Sequence, residues 1–252
     1  MGQPPLPISN GVKVYGTLTA LNTVPVTVAQ GGTGAATVSG VRTTFGIDAG
    51  TAFITSGTSW TSPSYITPQT LFKVTVIGAG GGGGGNAVNN DHSCGGGGGG
   101  VGVVWLTGLA PSTAYATVIG TAGIAGTNAP TAGGAGTLTS ISINAVTYTA
   151  NGGAGGPITP NTQTGGAGGT TVNCTVSITG QNGGGTASGT TGVPGNGGSS
   201  GLGFGLGGVG NVPFVGNDGT GATGYGGGGE GTTGAGFGGP GTQGAILIEW
   251  FN

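Results

Sequence analysis

From Leu71 onward the chain alternates between short runs of β-branched residues and tracts of almost pure glycine. The runs are 71–77 (LFKVTVI), 101–107 (VGVVWLT), 113–119 (TAYATVI), 137–149 (TLTSISINAVTYT), 171–179 (TVNCTVSIT) and 245–251 (AILIEWF). Apolar positions recur in them with a period of two, so each predicts a strand. Phe72, Val74, Val76, Val104, Ile119, Ile141, Ile246, Ile248 and Trp250 form the expected apolar core. The glycine tracts span 78–85, 95–100, 120–126, 132–136, 151–156, 165–169, 180–185, 195–210 and 219–244.

The order of these pieces predicts an architecture. A strand leads to a glycine tract, a polar loop, a second tract and the next strand. The loops are 86–94, 127–131 and 157–164, with later excursions through 186–194 and 211–218. These are out-and-back hairpins with glycine legs. Six residues in polyproline-II geometry, at ~3.1 Å each, reach roughly 19 Å. Such a leg has no internal hydrogen bonds, so its backbone groups must pair with other legs. The strands then form a base, and the loops gather at the opposite end.

Before Leu71 the pattern differs. VKVYGTLTA and VPVTVA alternate like half-buried strands, and Val38, Val41 and Phe45 share one face of a helix expected over 35–45. A lone helix of that length is marginal in water, so it needs a packing partner, and neighbouring copies of the chain can supply one. Residues 51–70 read as turn-rich, with Trp60 and Tyr65 as anchors. The fold class expected is mostly β: a short strand/helix stem over 1–50, then a β base carrying the glycine legs over 51–252.

Composition narrows the function classes. The 252 residues include 69 Gly and 13 Pro, but runs such as CGGGGGGVG break the G-X-Y period that collagen requires. Charged residues make up 3% and hydrophobic ones 34%, unlike a disordered chain. Three basic residues, Lys13, Arg42 and Lys73, make no nucleic-acid footprint. No apolar run approaches the ~20 residues needed to span a bilayer. The N-terminus carries neither a signal-peptide pattern nor a myristoylation pattern, since Leu6 stands where Ser or Thr is required.

FKVTVIGAGGGGGG imitates a dinucleotide-binding fingerprint, but a helix must open at those glycines. Glycine opposes helix by ~1 kcal/mol per position relative to alanine. Gly98 stands where the ribose-binding acid would fall, and Asp91 comes too early. Catalysis needs convergent groups, and the chain holds one histidine and five carboxylates: Asp48, Asp91, Asp218, Glu230 and Glu249. Asp91-His92-Ser93-Cys94 is the one dense cluster, and a zinc site there needs ligands from a second segment. The expectation is no enzyme, no cofactor and no metal. Cys94 and Cys174 have no metal spacing, and whether they pair stays open.

Recognition is the better use of the loops. Asn86, Asn89, Asn90, Asp91 and His92, then Asn161, Thr162 and Gln163, then Phe214, Asn217 and Asp218 suit hydroxyl-rich or backbone-rich partners. The same residue types also satisfy turn geometry, which leaves both roles open. Phe204, Tyr225 and Phe237, inside glycine tracts, read as wedges between legs. Asn173-Cys174-Thr175 fits a glycosylation sequon within an expected strand.

VPVTVAQGGTGAATVSGVRTTFGI resembles a Q-G-G-T-G-A segment common in bacteriophage tail fibres. SWTSPSYITPQTLFKVTVIGAGGGGGG, GLAPSTAYATVIGTAGIAG and the terminal GAILIEWFN resemble the glycine-rich C-terminal domain of phage tail fibres and adhesins. That resemblance runs from about residue 24. It implies bundled polyglycine-II helices whose tip loops contact the bacterial surface, a homotrimer, and attachment to other tail or baseplate proteins through residues 1–50. The partner at the tip is then a surface glycan or an outer-membrane protein, and the location the virion tail, extracellular after release. The short part ahead of the Q-G-G-T-G-A segment is expected in a short fibre or tip subunit rather than a full shaft. A connector or decoration fibre without a receptor is an alternative. An ice-binding protein is another, though it predicts regular G-x-x spacing where the tracts read as irregular.

Overall fold

The computed structural model describes residues 49–86, 92–158, 164–185, 194–209 and 218–251. The chain divides into two units, Met1–Ile47 and Asp48–Asn252. The stem, its strands and the helix expected over 35–45 lie outside the described residues.

The second unit is mostly β. In chain order its strands are β1 (Gly50–Ile54), β2 (Ser59–Thr61), β3 (Leu71–Ile77), β4 (Val101–Leu106), β5 (Ala114–Val118), β6 (Thr139–Ile143) and β7 (Val146–Ala150). β8 (Thr171–Val172), β9 (Val176–Ile178), β10 (Gly205–Leu206), β11 (Thr223–Gly224) and β12 (Ala245–Phe251) follow. They pair antiparallel into one sheet of order β1-β12-β3-β4-β9, a second of order β2-β5-β6-β7-β8 and a β10-β11 ribbon.

Two of the expected runs are broken, and each break has a local cause. Residues 137–149 form not one strand but the hairpin β6–β7, because Asn144 and Ala145 turn the chain at φ 50° and 64°. Two successive positive φ values match the twist of a tight hairpin. Residues 171–179 divide at Asn173, φ 62°. β8 pairs with β7 in the second sheet, whereas β9 pairs with β4 in the first. The chain thus crosses between sheets at the residue of the sequon, and Asn173 Nδ2 donates to the Thr147 carbonyl at 2.9 Å. The stretch 51–70 is more ordered than its turn-rich composition implies, since it holds most of β1 and all of β2.

The two sheets face each other across one core. Alternation places Phe72, Val74 and Val76 of β3 beside Ile246, Ile248 and Trp250 of β12 and Val104 of β4. The second sheet contributes Trp60, Tyr115, Ile141, Ile143 and Tyr148, with Ile119 packed at the edge. Each fully buried aliphatic side chain contributes about 1.5–3 kcal/mol. Trp60 stacks on Tyr115 at 5.9 Å between ring centroids and meets Phe72 edge-on at 6.1 Å. Tyr65 is part-exposed, and its hydroxyl accepts the Trp250 Nε1–H at 3.1 Å.

Phe204 and Tyr225 pack with Ile77, Val101 and Ala245 in a second cluster on the outer face of the first sheet. Phe237, expected as a wedge, is 48% exposed. The Cys94 and Cys174 thiols are not bridged to each other. Cys174 is half-buried over Gly102, and desolvation pushes its thiol pKa up. At pH 8.5, where an exposed thiol is about half ionised, folded Cys174 holds less thiolate than the unfolded chain. Iodoacetamide should therefore alkylate it more slowly in the folded protein; equal rates in urea and buffer would contradict that environment.

The glycine tracts run between the sandwich and its loops, bonded side to side. Along 78–86 the N–H partners recur every three residues. Gly78, Gly81 and Gly84 donate to Gly100, Gly97 and Cys94. Ala79, Gly82 and Gly85 donate to Thr137, Gly134 and Thr131, and Gly80, Gly83 and Asn86 to Thr242, Gly239 and Gly236. Its carbonyls accept from three further segments, through Gly123 and Gly126, Gly153 and Gly156, and Gly229. Six segments therefore surround it. Segment 93–100 is enclosed in the same way, donating to 226–232, 151–157 and 181–184 and accepting from 78–84, 166–169 and 195–198.

Enclosure dictates composition. A Cβ on Gly82 would run into the Ile124 carbonyl, and one on Gly97 into that of Ala167. Segment 120–126 is less enclosed, and there glycine stands only at 120, 123 and 126, with Thr121, Ala122, Ile124 and Ala125 between. The spacing that reads as irregular is thus a three-residue period, filled according to how many sides of each segment are covered.

Candidate functional site

Several glycine segments reach the end remote from the sandwich, where the described turn over 128–130 lies. Hydrogen bonds tie the described turn-side residues to one another there. Gly85 N–H donates to the Thr131 carbonyl at 3.0 Å, Ser93 N–H to Thr232 at 3.1 Å, Cys94 N–H to Pro157 at 3.1 Å and Gly195 N–H to Ser93 at 3.2 Å. The stretches that flank 87–91, 159–163 and 186–193 are thereby brought to one end.

Asn89, Asn90, Asp91, Asn161, Gln163, Phe214 and Asn217 lie outside the described residues, as does Thr162. Asn86, His92 and Asp218 do not. Asn86 is 4% exposed, and its backbone bridges Gly236 in both directions, at 3.1 and 2.8 Å. Its side chain therefore presents little surface. His92 bridges Thr233, and both its ring nitrogens are screened from solvent without a hydrogen-bond partner. Asp218 is exposed, and its Oδ1 accepts the Phe237 N–H at 2.8 Å.

Three further groups shape this end. The Ser93 hydroxyl, fully buried, donates to the Gly84 carbonyl and accepts the Thr232 N–H at 2.8 Å. Thr127 and Thr131 pair through their hydroxyls at 3.0 Å. Glu230, 1% exposed, accepts the Thr220 N–H at 2.8 Å and its hydroxyl at 2.6 Å through one carboxylate oxygen. Sequence reasoning missed Glu230 as a structural group. Its signal was an acid inside a tract, GGGGEGTTG, where every enclosed position favours glycine. Truncating Glu230 to alanine takes the acceptor from the half-buried Thr220 N–H and hydroxyl, which predicts a loss of about 1–3 kcal/mol in urea unfolding. Glu230→Gln, which keeps an acceptor, should lose less.

A groove of about 580 Å³ opens where the turn after β1 and the end of β5 meet the first residues of the glycine segments. Thr55, Ser56, Thr58, Thr117, Thr121 and Gln243 line it together with Val118, Ile119 and Ala122, and no charged residue does, so it offers no acid–base pair. Among the described residues, the turn end likewise presents hydroxyls, amides and the one exposed carboxylate of Asp218.

The family described as glycine-rich domain matches residues 54–251. No curated protein matches the chain.

Proposed function

The chain belongs to the glycine-rich domain family, and from that premise we propose that it is a tail fibre or tip adhesin of a bacteriophage virion. The glycine segments are polyglycine-II helices in a bundle, and loops at its far end recognise a surface glycan or an outer-membrane protein of the host. The observation that carries the reading is the three-residue recurrence of hydrogen-bond partners along 78–86 and 93–100. Three residues per turn is the period of a polyproline-II-type backbone, which bonds only to neighbours. A bundle so held is a stiff spacer with its connecting loops at one end, and loops on a rigid scaffold are where recognition residues concentrate.

In this reading residues 1–50 attach the chain to other tail proteins and hold a homotrimer together. The protein works in the virion tail and outside the cell after release. It binds rather than catalyses. The resemblance of VPVTVAQGGTGAATVSGVRTTFGI to tail-fibre segments supports the assignment. Grafting loops 86–94 and 211–218 from a differently targeted relative should redirect which cells adsorb the particle. Adsorption indifferent to both grafts would overturn the receptor role and leave a connector fibre.

A further inference from the structure

Segment 236–244 carries an exposed row that its own packing does not explain. It is hydrogen-bonded to 78–86 and to 120–126, and the carbonyls of Phe237, Pro240 and Gln243 accept from Gly219, Ala222 and Gly226. At three residues per turn, every third side chain points the same way. Phe237, Pro240 and Gln243 are the exposed residues of the segment, and those between them are buried or half-buried. At ~3.1 Å per residue the row runs roughly 19 Å. Its last member, Gln243, also lines the groove beside β1 and β5. At its first member the Phe237 ring is 48% exposed, although the backbone beneath is held on both sides. The Phe237 N–H donates to Asp218 Oδ1 at 2.8 Å, and its carbonyl accepts the Gly219 N–H at 2.8 Å. An exposed carboxylate is thus fixed beside an exposed ring, and among the described residues nothing donates to Asp218 Oδ2.

We infer that this row is a binding track for a neutral polysaccharide chain. Phe237 is its stacking platform, Asp218 its acceptor for sugar hydroxyls, and the Gln243 amide its polar far end. A sugar ring offers an apolar C–H face to an aromatic ring and hydroxyls to an adjoining carboxylate. Ligand sites combine apolar side chains with a few placed polar groups in this way. The track is one residue wide, because the neighbouring segment sets Gly221 against the Pro240 ring and leaves that ring uncovered. A linear polymer fits such a track, whereas a folded protein needs about 800 Å² of contact on each partner. Charge narrows the ligand further. Asp218 repels a polyanion, and one exposed carboxylate pairs only weakly with a cation. The inference rests on the receptor role proposed above, and it commits that role to a glycan and to the side of the bundle.

The test is equilibrium binding of the full chain to cells that adsorb the particle, before and after protease treatment. The same measurement is made with the polysaccharide released from those cells by mild acid. Native protein should bind treated and untreated cells alike, and the free polysaccharide should compete. Phe237→Ala should weaken polysaccharide binding by at least about 10-fold and Asp218→Asn by roughly 3-fold, with the melting temperature unchanged. Phe237→Tyr, which keeps the ring, should bind like native protein, as should Ile124→Ser at a 75% exposed position on segment 120–126. Cell binding that protease abolishes overturns the polysaccharide and leaves a protein receptor. Polysaccharide binding that neither Phe237→Ala nor Asp218→Asn weakens overturns this track and leaves glycan recognition to the tip loops. Native protein that binds neither cells nor polysaccharide overturns the track and the receptor role together. Should Phe237→Ala fail to fold, Asp218→Asn decides, because asparagine keeps the acceptor for the Phe237 N–H.

Discussion

Gly97→Ala should lower the stability of the second unit by more than about 4 kcal/mol, a fall of roughly 10 °C or more in melting temperature. Gly97 lies within the enclosed segment 93–100. Its N–H donates to the Ala154 carbonyl at 2.8 Å, and its carbonyl accepts the Gly81 N–H at 2.9 Å. The third side is closed by the Ala167 backbone, which an added Cβ would overlap. Overpacking against a side chain typically loses 1–3 kcal/mol because a rotamer can yield. Here the obstacle is a carbonyl in a segment that is itself hydrogen-bonded, since Ala154 N–H donates to Ala167 O at 2.8 Å. Relief requires moving two segments and breaking bonds worth about 0.5–1.5 kcal/mol each. Gly221→Ala is the matched control. A Cβ there would meet the Pro240 ring at 3.3 Å and its carbonyl at 3.7 Å, with no overlap of backbone, so its effect should stay within about 0.5 kcal/mol. Comparable losses at the two sites would mean that enclosure does not select the glycines.

The second large effect belongs to the sandwich. Phe72→Ala should lose about 3–5 kcal/mol in urea unfolding, with the slope of the transition unchanged. Phe72 has no exposed surface, and its ring lies 6.1 Å from Trp60 and 6.3 Å from Trp250. Trp60 belongs to one sheet and Trp250 to the other, so the ring joins both layers and its removal leaves a cavity that neither can fill alone. Phe72→Leu keeps most of the volume and should lose less than about 1.5 kcal/mol. A loss below 1 kcal/mol for the alanine variant would place the stabilising core elsewhere.

Much of the second unit was legible because its signals are local. β3 and β12 fall on the bounds that their period-two runs predict, and every expected core residue lies in or against the main cluster. The strand-to-glycine alternation was likewise readable. What escaped was set by pairing across the chain. Nothing in TLTSISINAVTYT marks the Asn144-Ala145 turn as strongly as Asn-Gly would. TVNCTVSIT reads as one strand because the switch of sheet at Asn173 depends on neighbours more than 20 residues away. The three-residue glycine period stayed hidden because an enclosed segment shows no period at all when every position is glycine. At the turn end, Asn86 has the composition of a contact residue but is committed to the Gly236 bridge. Burial of that kind follows from packing between segments, which composition does not report.

The central claim is that the glycine tracts are hydrogen-bonded laterally, residue by residue, although they form neither helix nor strand. Amide hydrogen exchange across 78–86 and 94–100 tests it most directly, because an unpaired glycine amide exchanges within seconds and a paired, buried one waits for unfolding. The account predicts protection of Gly81, Gly82, Gly83, Gly96, Gly97 and Gly98 equal to that of β3 and β12. Exchange of those amides at the rate of an unstructured glycine peptide, while β3 and β12 stay protected, would contradict it.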